Sequence, residues 1–283
     1  MDKARGFIRL VRPVNCAMMG FAVFVGVVLA DPNFSNFQWL GVLYGFLTGF
    51  VLTAASMTIN DYYDRAIDAI NEPFRPIPSG IVSVREALAF VFFLSVVGFV
   101  LAYFTSILCL LVAVISWIVV VIYVTVGKRR GLIGNFLVST CVAIPFVYGS
   151  IIVLNKVPLS VLLFTLMAFL SNTGREITKG IVDIKGDEAE GIKTLAVRYG
   201  EKSAAVAAVF FYIFAVALTP LTWFLNLVSV WFIPLVLVTD VGLLACSILL
   251  IIDHSRENAR KIKKTVLMLF VVGLLAYIVG VLR

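Results

Sequence analysis

Charge, histidine and cysteine are all scarce in this chain of 283 residues. Charged residues make up 14% of it, there is one histidine, and the four cysteines are Cys16, Cys109, Cys141 and Cys246. Each cysteine stands alone in an apolar stretch, no Cys-x-x-Cys pair occurs, and His254 sits by itself in a hydrophilic loop. Zinc, haem and disulfide chemistry therefore lack the donors they need, and the cysteines are expected to pack as small apolar side chains. The shortage of polar surface excludes more. With 61% hydrophobic residues and a mean hydropathy of +1.07, the chain cannot cover itself in water and requires lipid as its solvent.

What is present is a succession of long apolar segments. Nine of them, at about 14–30, 39–60, 84–103, 106–126, 131–154, 158–180, 204–225, 229–252 and 265–282, can each cross a hydrocarbon core of about 30 Å as a helix. They predict an all-α, multi-pass transmembrane bundle of nine helices, a single domain over residues 1–283. Residues 84–126 need a tight hairpin at Thr105-Ser106, because one helix of that length would overrun the bilayer. Pro145 and Pro220 are expected to kink their spans. The basic N-terminus, Lys3, Arg5, Arg9 and Arg12, lacks a small-residue cleavage site and reads as the lead-in to a retained first helix. Ala4, Phe7, Ile8 and Val11 share a face there, which predicts a short helix at the headgroups.

Basic residues are nearly missing from one set of connections. Of the 23 lysines and arginines, only Lys156 and Arg283 fall on the side opposite the N-terminus. The positive-inside rule places the richer side, N-terminus included, in the cytoplasm and the C-terminus outside. Two connections on that side, 61–83 and 181–203, exceed twenty residues and hold most of the acids. Loops of that length are usually functional or disordered, and their Gly, Pro and paired charges argue for function.

At the end of the second span, the run Asn60-Asp61-Tyr62-Tyr63-Asp64-Arg65-Ala66-Ile67-Asp68 spaces Asn60, Asp64 and Asp68 by four residues. They share a face if the helix continues, with Asp61 beside Asp64. Carboxylates crowded at a membrane boundary repel one another unless a hard cation with oxygen ligands sits among them. Mg²⁺ suits, because it is held by one or two carboxylates together with substrate phosphates. Leaving the sixth span, Arg175, Lys179, Asp183 and Asp187 repeat at the same interval and align cations with carboxylates. The Asp-x₃-Asp spacing thus occurs twice, which predicts two metal clusters clamping one diphosphate. Taken singly, either run also reads as a solvated helix cap.

Other residues carry weaker signals. Arg75-Pro76-Ile77-Pro78-Ser79-Gly80 reads as a rigid turn that presents Arg75. Lys128-Arg129-Arg130 reads as a positive-inside anchor emerging on the same side. Asp240 falls mid-span, where an ionised carboxylate costs roughly 2.5–3.5 kcal/mol, so it is expected to face the bundle interior. It either lines a polar cavity or is a protonated structural acid. The 23 phenylalanines suit a lipid-facing surface or a tunnel for an isoprenoid tail.

Both acid runs, with Arg12-Pro13-x-Asn15 and residues 75–80, resemble the UbiA family of intramembrane prenyltransferases across the whole chain. That family has nine transmembrane helices, Asn-Asp-x-x-Asp-x-x-x-Asp after the second and Asp-x-x-x-Asp after the sixth. Residues 60–80 and 174–200 look most like the archaeal digeranylgeranylglyceryl phosphate synthase branch, which makes ether-lipid precursors. The resemblance implies Mg²⁺ held by Asn60, Asp64, Asp183 and Asp187, with Asp61 and Asp68 in support and all six counted as catalytic. It implies that Arg12, Arg75, Lys128, Arg175 and Lys179 contact the diphosphate or the acceptor's phosphate, and that cytoplasmic helical loops cap the active site. The implied partners are a prenyl diphosphate, a lipid-phosphate acceptor and the surrounding membrane lipids, with no nucleic acid. The implied reaction moves a geranylgeranyl group from geranylgeranyl diphosphate to the sn-2 hydroxyl of geranylgeranylglyceryl phosphate. Gly180 departs from the family pattern, in which an aspartate often follows the lysine, so no residue is assigned to acceptor activation there. Two rivals stay open: an aromatic acceptor such as 4-hydroxybenzoate and, from another class, a cation transporter using intramembrane acids. A CDP-alcohol phosphotransferase fits less well, since no Asp-Gly-x-x-Ala-Arg run surrounds Asp64.

Overall fold

The computed structural model describes residues 3–189 and 191–282, and every regular element among them is helical. In order these are α1 (Lys3–Val11), α2 (Pro13–Ala30), α3 (Trp39–Asn71), α4 (Val84–Thr105) and α5 (Ile107–Thr125). A single 3-10 turn at Gly127–Arg129 precedes α6 (Leu132–Leu154), α7 (Leu159–Ala189), α8 (Leu195–Phe224), α9 (Phe232–Ile252) and α10 (Arg256–Val281). Eight helices, α2 to α6 and α8 to α10, are long and apolar enough to cross a membrane, so the chain is a multi-pass membrane protein.

The ninth long helix, α7, is less apolar because Ser171, Asn172, Thr173, Arg175 and Glu176 interrupt it. Ser171, Asn172, Thr173 and Thr178 are buried. Asn172 Nδ2 and Thr173 Oγ1 donate to Ser139 Oγ of α6 at 3.1 and 2.9 Å. Polar groups at membrane depth survive when a neighbouring helix satisfies them in this way.

Several boundaries differ from the sequence-based expectation. The tight hairpin at 105–106 is a single residue, Ser106, whose Oγ accepts the Cys109 N–H and so caps α5. The long connections shrink, because α3 continues to Asn71, α7 to Ala189, and α8 begins at Leu195. A bend at Gly200 (φ 84°) sets the first turn of α8 apart from its long apolar part. Pro145 and Pro220 lie inside α6 and α8. The carbonyl of Val216, which Pro220 cannot serve, accepts from Thr219 Oγ1 at 2.8 Å.

The chain forms two compact units. One comprises the chain up to Val27, Asn36–Thr125 and Ile144–Lys156. There α2 and α6 meet backbone to backbone. A Cβ on Gly149 would lie 2.0 Å from the Val23 carbonyl oxygen, and one on Gly26 would lie 2.3 Å from that of Phe146. Such small-residue contacts hold helices together where lipid removes the hydrophobic drive. In the same unit, Leu10 of α1 packs on Ile77, Val82 and Ala87. The buried face of α1 is therefore Gly6 and Leu10, whereas Ala4 is exposed and Ile8 is 58% exposed. The expected stripe is rotated, because α1 rests on the 77–87 segment as well as on its surroundings.

The second unit comprises Val28–Ser35, Val126–Ala143 and the chain from Val157 onward. In it α8 packs on α7 and α9, and α10 returns against α7. Its core joins Ile177 and Ile181 of α7 to Ala204, Ala208 and Tyr212 of α8, Leu243 of α9 and Val266 of α10. Gly174 lets α8 approach, since a Cβ there would meet the Tyr212 ring at 2.7 Å. The Tyr212 and Thr178 hydroxyls lie 3.0 Å apart. All four cysteines are free, three buried and Cys141 half-buried.

Candidate active site

In the first unit the acid run occupies the last turns of α3. Asp61, Asp64 and Asp68 are only 3%, 9% and 6% exposed, so each needs a partner to offset desolvation and mutual repulsion. Arg12 Nη2 donates to Asp61 Oδ1 at 2.6 Å. Arg75 Nη1 donates to Asp68 Oδ2 at 2.7 Å and reaches Asp61 Oδ1 at 3.4 Å. Asn60 Nδ2 donates to Asp64 Oδ2 at 3.0 Å, one turn apart on the helix. Arg65 turns away, donating to the Tyr62 carbonyl and stacking on its own neighbour's ring.

Local backbone chemistry delivers both arginines. Arg12 is the one-residue joint between α1 and α2, and it sits in the left-handed region at φ 51°. A residue before proline normally prefers extended backbone, and a non-glycine residue with positive φ costs of order 1–3 kcal/mol. Its carbonyl starts α2 by accepting from Asn15 and Cys16. Arg75 opens a closed turn in which Ser79 N donates to Arg75 O, Gly80 N to Ile77 O and Val82 N to Pro76 O. Gly80 takes φ 76° there, and Ile77 is buried beneath Leu10.

In the second unit α7 carries Arg175, Lys179, Asp183 and Asp187. Glu176 accepts from Arg175 Nη1 at 3.0 Å and from Lys179 Nζ at 3.4 Å. Asp183 is half-buried. Lys263 of α10 lies in the field of Asp183, Lys179, Arg175 and Glu176. Arg256 Nε donates to the Val182 carbonyl at 2.9 Å and ties the start of α10 to the same stretch. Asp187 is half-buried near the end of α7, where its carbonyl accepts from Ile192 N at 2.8 Å. Lys128 is half-buried in the 3-10 turn. Gly131, at φ 54°, follows that turn, and a Cβ there would lie 2.6 Å from the Lys193 carbonyl oxygen.

Residues 19–279 match the UbiA prenyltransferase family. The chain belongs to that family. It is 35% identical over 288 residues to digeranylgeranylglyceryl phosphate synthase of Methanosarcina mazei, with 98% of each chain covered. Over 275 residues it is 37% identical to the Archaeoglobus fulgidus protein of the same name, covering 96% of this chain and 93% of that one. A solved structure concerned with digeranylgeranylglyceryl phosphate synthase in membranes superposes with a TM-score of 0.87 at 32% identity, over 100% of this chain and 99% of that one. A UbiA homologue of Archaeoglobus fulgidus, solved with GPP and Mg²⁺, shares the fold at TM-score 0.71 and 18% identity, over 96% and 99% of the two chains.

Within this prenyltransferase, the sequence-assigned residues of the first unit form two hydrogen-bonded groups at the end of α3, Arg12 and Arg75 with Asp61 and Asp68, and Asn60 with Asp64. Among the described residues no three His, Cys, Asp or Glu side chains converge as a metal cage. The donor chemistry nevertheless fits Mg²⁺, which prefers oxygen, needs few protein ligands and keeps waters or phosphate in its shell. Arginine holds Asp61 and Asp68, which suits the supporting role, whereas Asp64 pairs with a neutral amide. Two residues of the second unit escaped the sequence reading. Glu176 clamps Arg175 and Lys179, and its i+3 relation to Lys179 was visible. Lys263 lies seven residues after Arg256, a spacing that sets both on one face of α10.

Proposed function

We propose that this prenyltransferase moves a geranylgeranyl group from geranylgeranyl diphosphate to the sn-2 hydroxyl of geranylgeranylglyceryl phosphate and releases diphosphate, a step of archaeal ether-lipid synthesis. The observation that carries this reading is near-full-length likeness, at 35% and 37% identity, to two proteins that bear that synthase's name. The uninterrupted family match over residues 19–279 supports one prenyltransferase domain. The basic bias of the loops supports a cytoplasmic N-terminus and active site, with the C-terminus external.

In this proposal Asn60, Asp64, Asp183 and Asp187 hold Mg²⁺. When bound, Mg²⁺ neutralises the diphosphate and makes it a competent leaving group. Asp61 and Asp68 hold Arg12 and Arg75 in place through ion pairs, so the two guanidiniums offer donors to phosphate oxygens. Arg175, Lys179 and Lys128 serve the same need for cations. Helices that exclude water protect the allylic cation as the C–O bond breaks. The sn-2 oxygen then forms the ether bond and loses its proton. A nucleophile that meets a carbocation needs little activation, which accords with a motif free of histidine and cysteine.

The test is incubation of purified protein with labelled geranylgeranyl diphosphate and one acceptor at a time. Digeranylgeranylglyceryl phosphate is the expected product. Label transferred only to 4-hydroxybenzoate, or cation flux in proteoliposomes without prenyl diphosphate, would replace this reading with a rival.

A further inference from the structure

α7 changes character at Val182. Up to that residue packing holds the helix, with Ile177, Thr178, Ile181 and Val182 all buried. From Asp183 to Ala189 no side chain is buried: Asp183, Ile184 and Asp187 are half-buried, and Lys185, Gly186, Glu188 and Ala189 are exposed. Gly180 and Gly186 bracket the same stretch, and glycine is a poor helix former. The turns that bear Asp183 and Asp187 thus have little of their own to keep them helical, yet α7 runs through them to Ala189.

Contacts at the two ends of the stretch account for this. At the far end, Ile192 N donates to the Asp187 carbonyl at 2.8 Å and Gly191 N to that of Glu188 at 3.1 Å, a paired closure that caps the helix. At the near end, Arg256 Nε donates to the Val182 carbonyl at 2.9 Å from 74 residues away. That oxygen belongs to the peptide joining Val182 to Asp183, and a carbonyl inside a helix keeps a second lone pair for an outside donor.

The corner that presents Arg256 is fixed by its own hydrogen bonds. Arg256 is exposed, but it opens α10 directly after Ser255, whose Oγ accepts from Asn258 N at 3.4 Å. Ser255 N donates to Asp253 Oδ1 at 2.9 Å, and Asn258 Nδ2 donates to the carbonyls of Leu249 and Asp253. Ala259 and Ile262, both buried, seat the first turns of α10 in the core of the second unit. A corner held in this way can brace α7.

We propose that Arg256 is a positioning residue. By bracing the Val182–Asp183 peptide it keeps the last turns of α7 helical, so that Asp183 and Asp187 stay one turn apart on one face. This inference rests on the function proposed above, in which those two carboxylates hold Mg²⁺, because the brace serves the reaction only through them.

The test pairs two measurements on the detergent-solubilised protein. One is amide hydrogen exchange without metal, which reads local opening. The other is a paramagnetic resonance titration of Mn²⁺ in the presence of the non-reactive thiolodiphosphate analogue of geranylgeranyl diphosphate. Arg256→Met removes the donor. It is expected to speed exchange over residues 183–189 about tenfold and to weaken Mn²⁺ about tenfold, the loss expected for one hydrogen bond. Exchange over 171–178 is expected to stay as in wild type. Arg256→Gln carries an N–H donor at the same number of bonds from the backbone as Nε, and is expected to remain within about threefold of wild type in both measurements. Gly186→Ala added to Arg256→Met is expected to restore protection, since alanine favours the helix and a Cβ there meets nothing within 4 Å. If wild type binds Mn²⁺ and Arg256→Met matches it in both measurements, the inference alone is overturned. It is also overturned if exchange rises equally over 171–178, which marks general loss of stability, or if Arg256→Lys is intact while Arg256→Gln fails like Arg256→Met, which marks a headgroup anchor acting by charge. If wild type itself retains no Mn²⁺ with the analogue, the proposed metal site falls and this inference falls with it.

Discussion

Arg12 shows most plainly how a single residue is held under tension for its site. Its left-handed backbone before a proline is unfavourable, and the side chain so placed meets a carboxylate buried to 3% exposure. Glycine accepts that backbone without cost, whereas alanine keeps the strain and loses the ion pair. Arg12→Gly is therefore expected to be more stable than Arg12→Ala by about 1 kcal/mol in mixed-micelle unfolding. Both are expected to lose most prenyl-transfer activity. Equal stabilities would show that the joint relaxes and that no strain is stored there. At this scale the sequence spoke clearly about what is local. Asn60, Asp64 and Asp68 share a face because four residues make one turn, and α3 does continue through them. It could not reveal that Arg12 pairs with Asp61, since 49 residues separate them and only tertiary packing of α1 brings them together.

Among the elements, apolar length located the long helices, α7 included, although its Ser, Asn and Thr residues lower its hydropathy while bonding to Ser139 and Tyr212. What hydropathy did not give is how far α3, α7 and α8 extend beyond their apolar parts, since it cannot see a helix that leaves lipid. Asp240 on α9 is held by Thr219, whose Oγ1 lies 2.8 Å from Val216 O and donates to Asp240 Oδ2 at 2.6 Å. Asp240→Asn keeps an oxygen acceptor for Thr219 and is expected to unfold within about 0.5 kcal/mol of wild type. Asp240→Leu is expected to lose about 0.6–1 kcal/mol. Equal losses in the two variants would show that this hydrogen bond does not contribute to stability.

For the whole molecule, the bias of lysine and arginine carries the proposed orientation. A cysteine introduced by Lys156→Cys is expected to react with an impermeant maleimide added outside cells, and one from Arg129→Cys only after the membrane is opened. The native cysteines, three of them buried, give little background. The reverse labelling pattern would invert the proposed orientation. The central functional claim is that the Asn60/Asp64 pair and the Asp183/Asp187 pair serve the same magnesium diphosphate. Groups that act as one unit lose activity together rather than independently. The direct measurement is single-turnover transfer by Asp64→Asn, Asp183→Asn and the double variant, with chelation by EDTA and restoration by Mg²⁺ as the control. Each single change is expected to cost on the order of 10²–10³ in rate, and the double variant little more than the worse single. Losses that multiply, or full activity in either single variant, would contradict it.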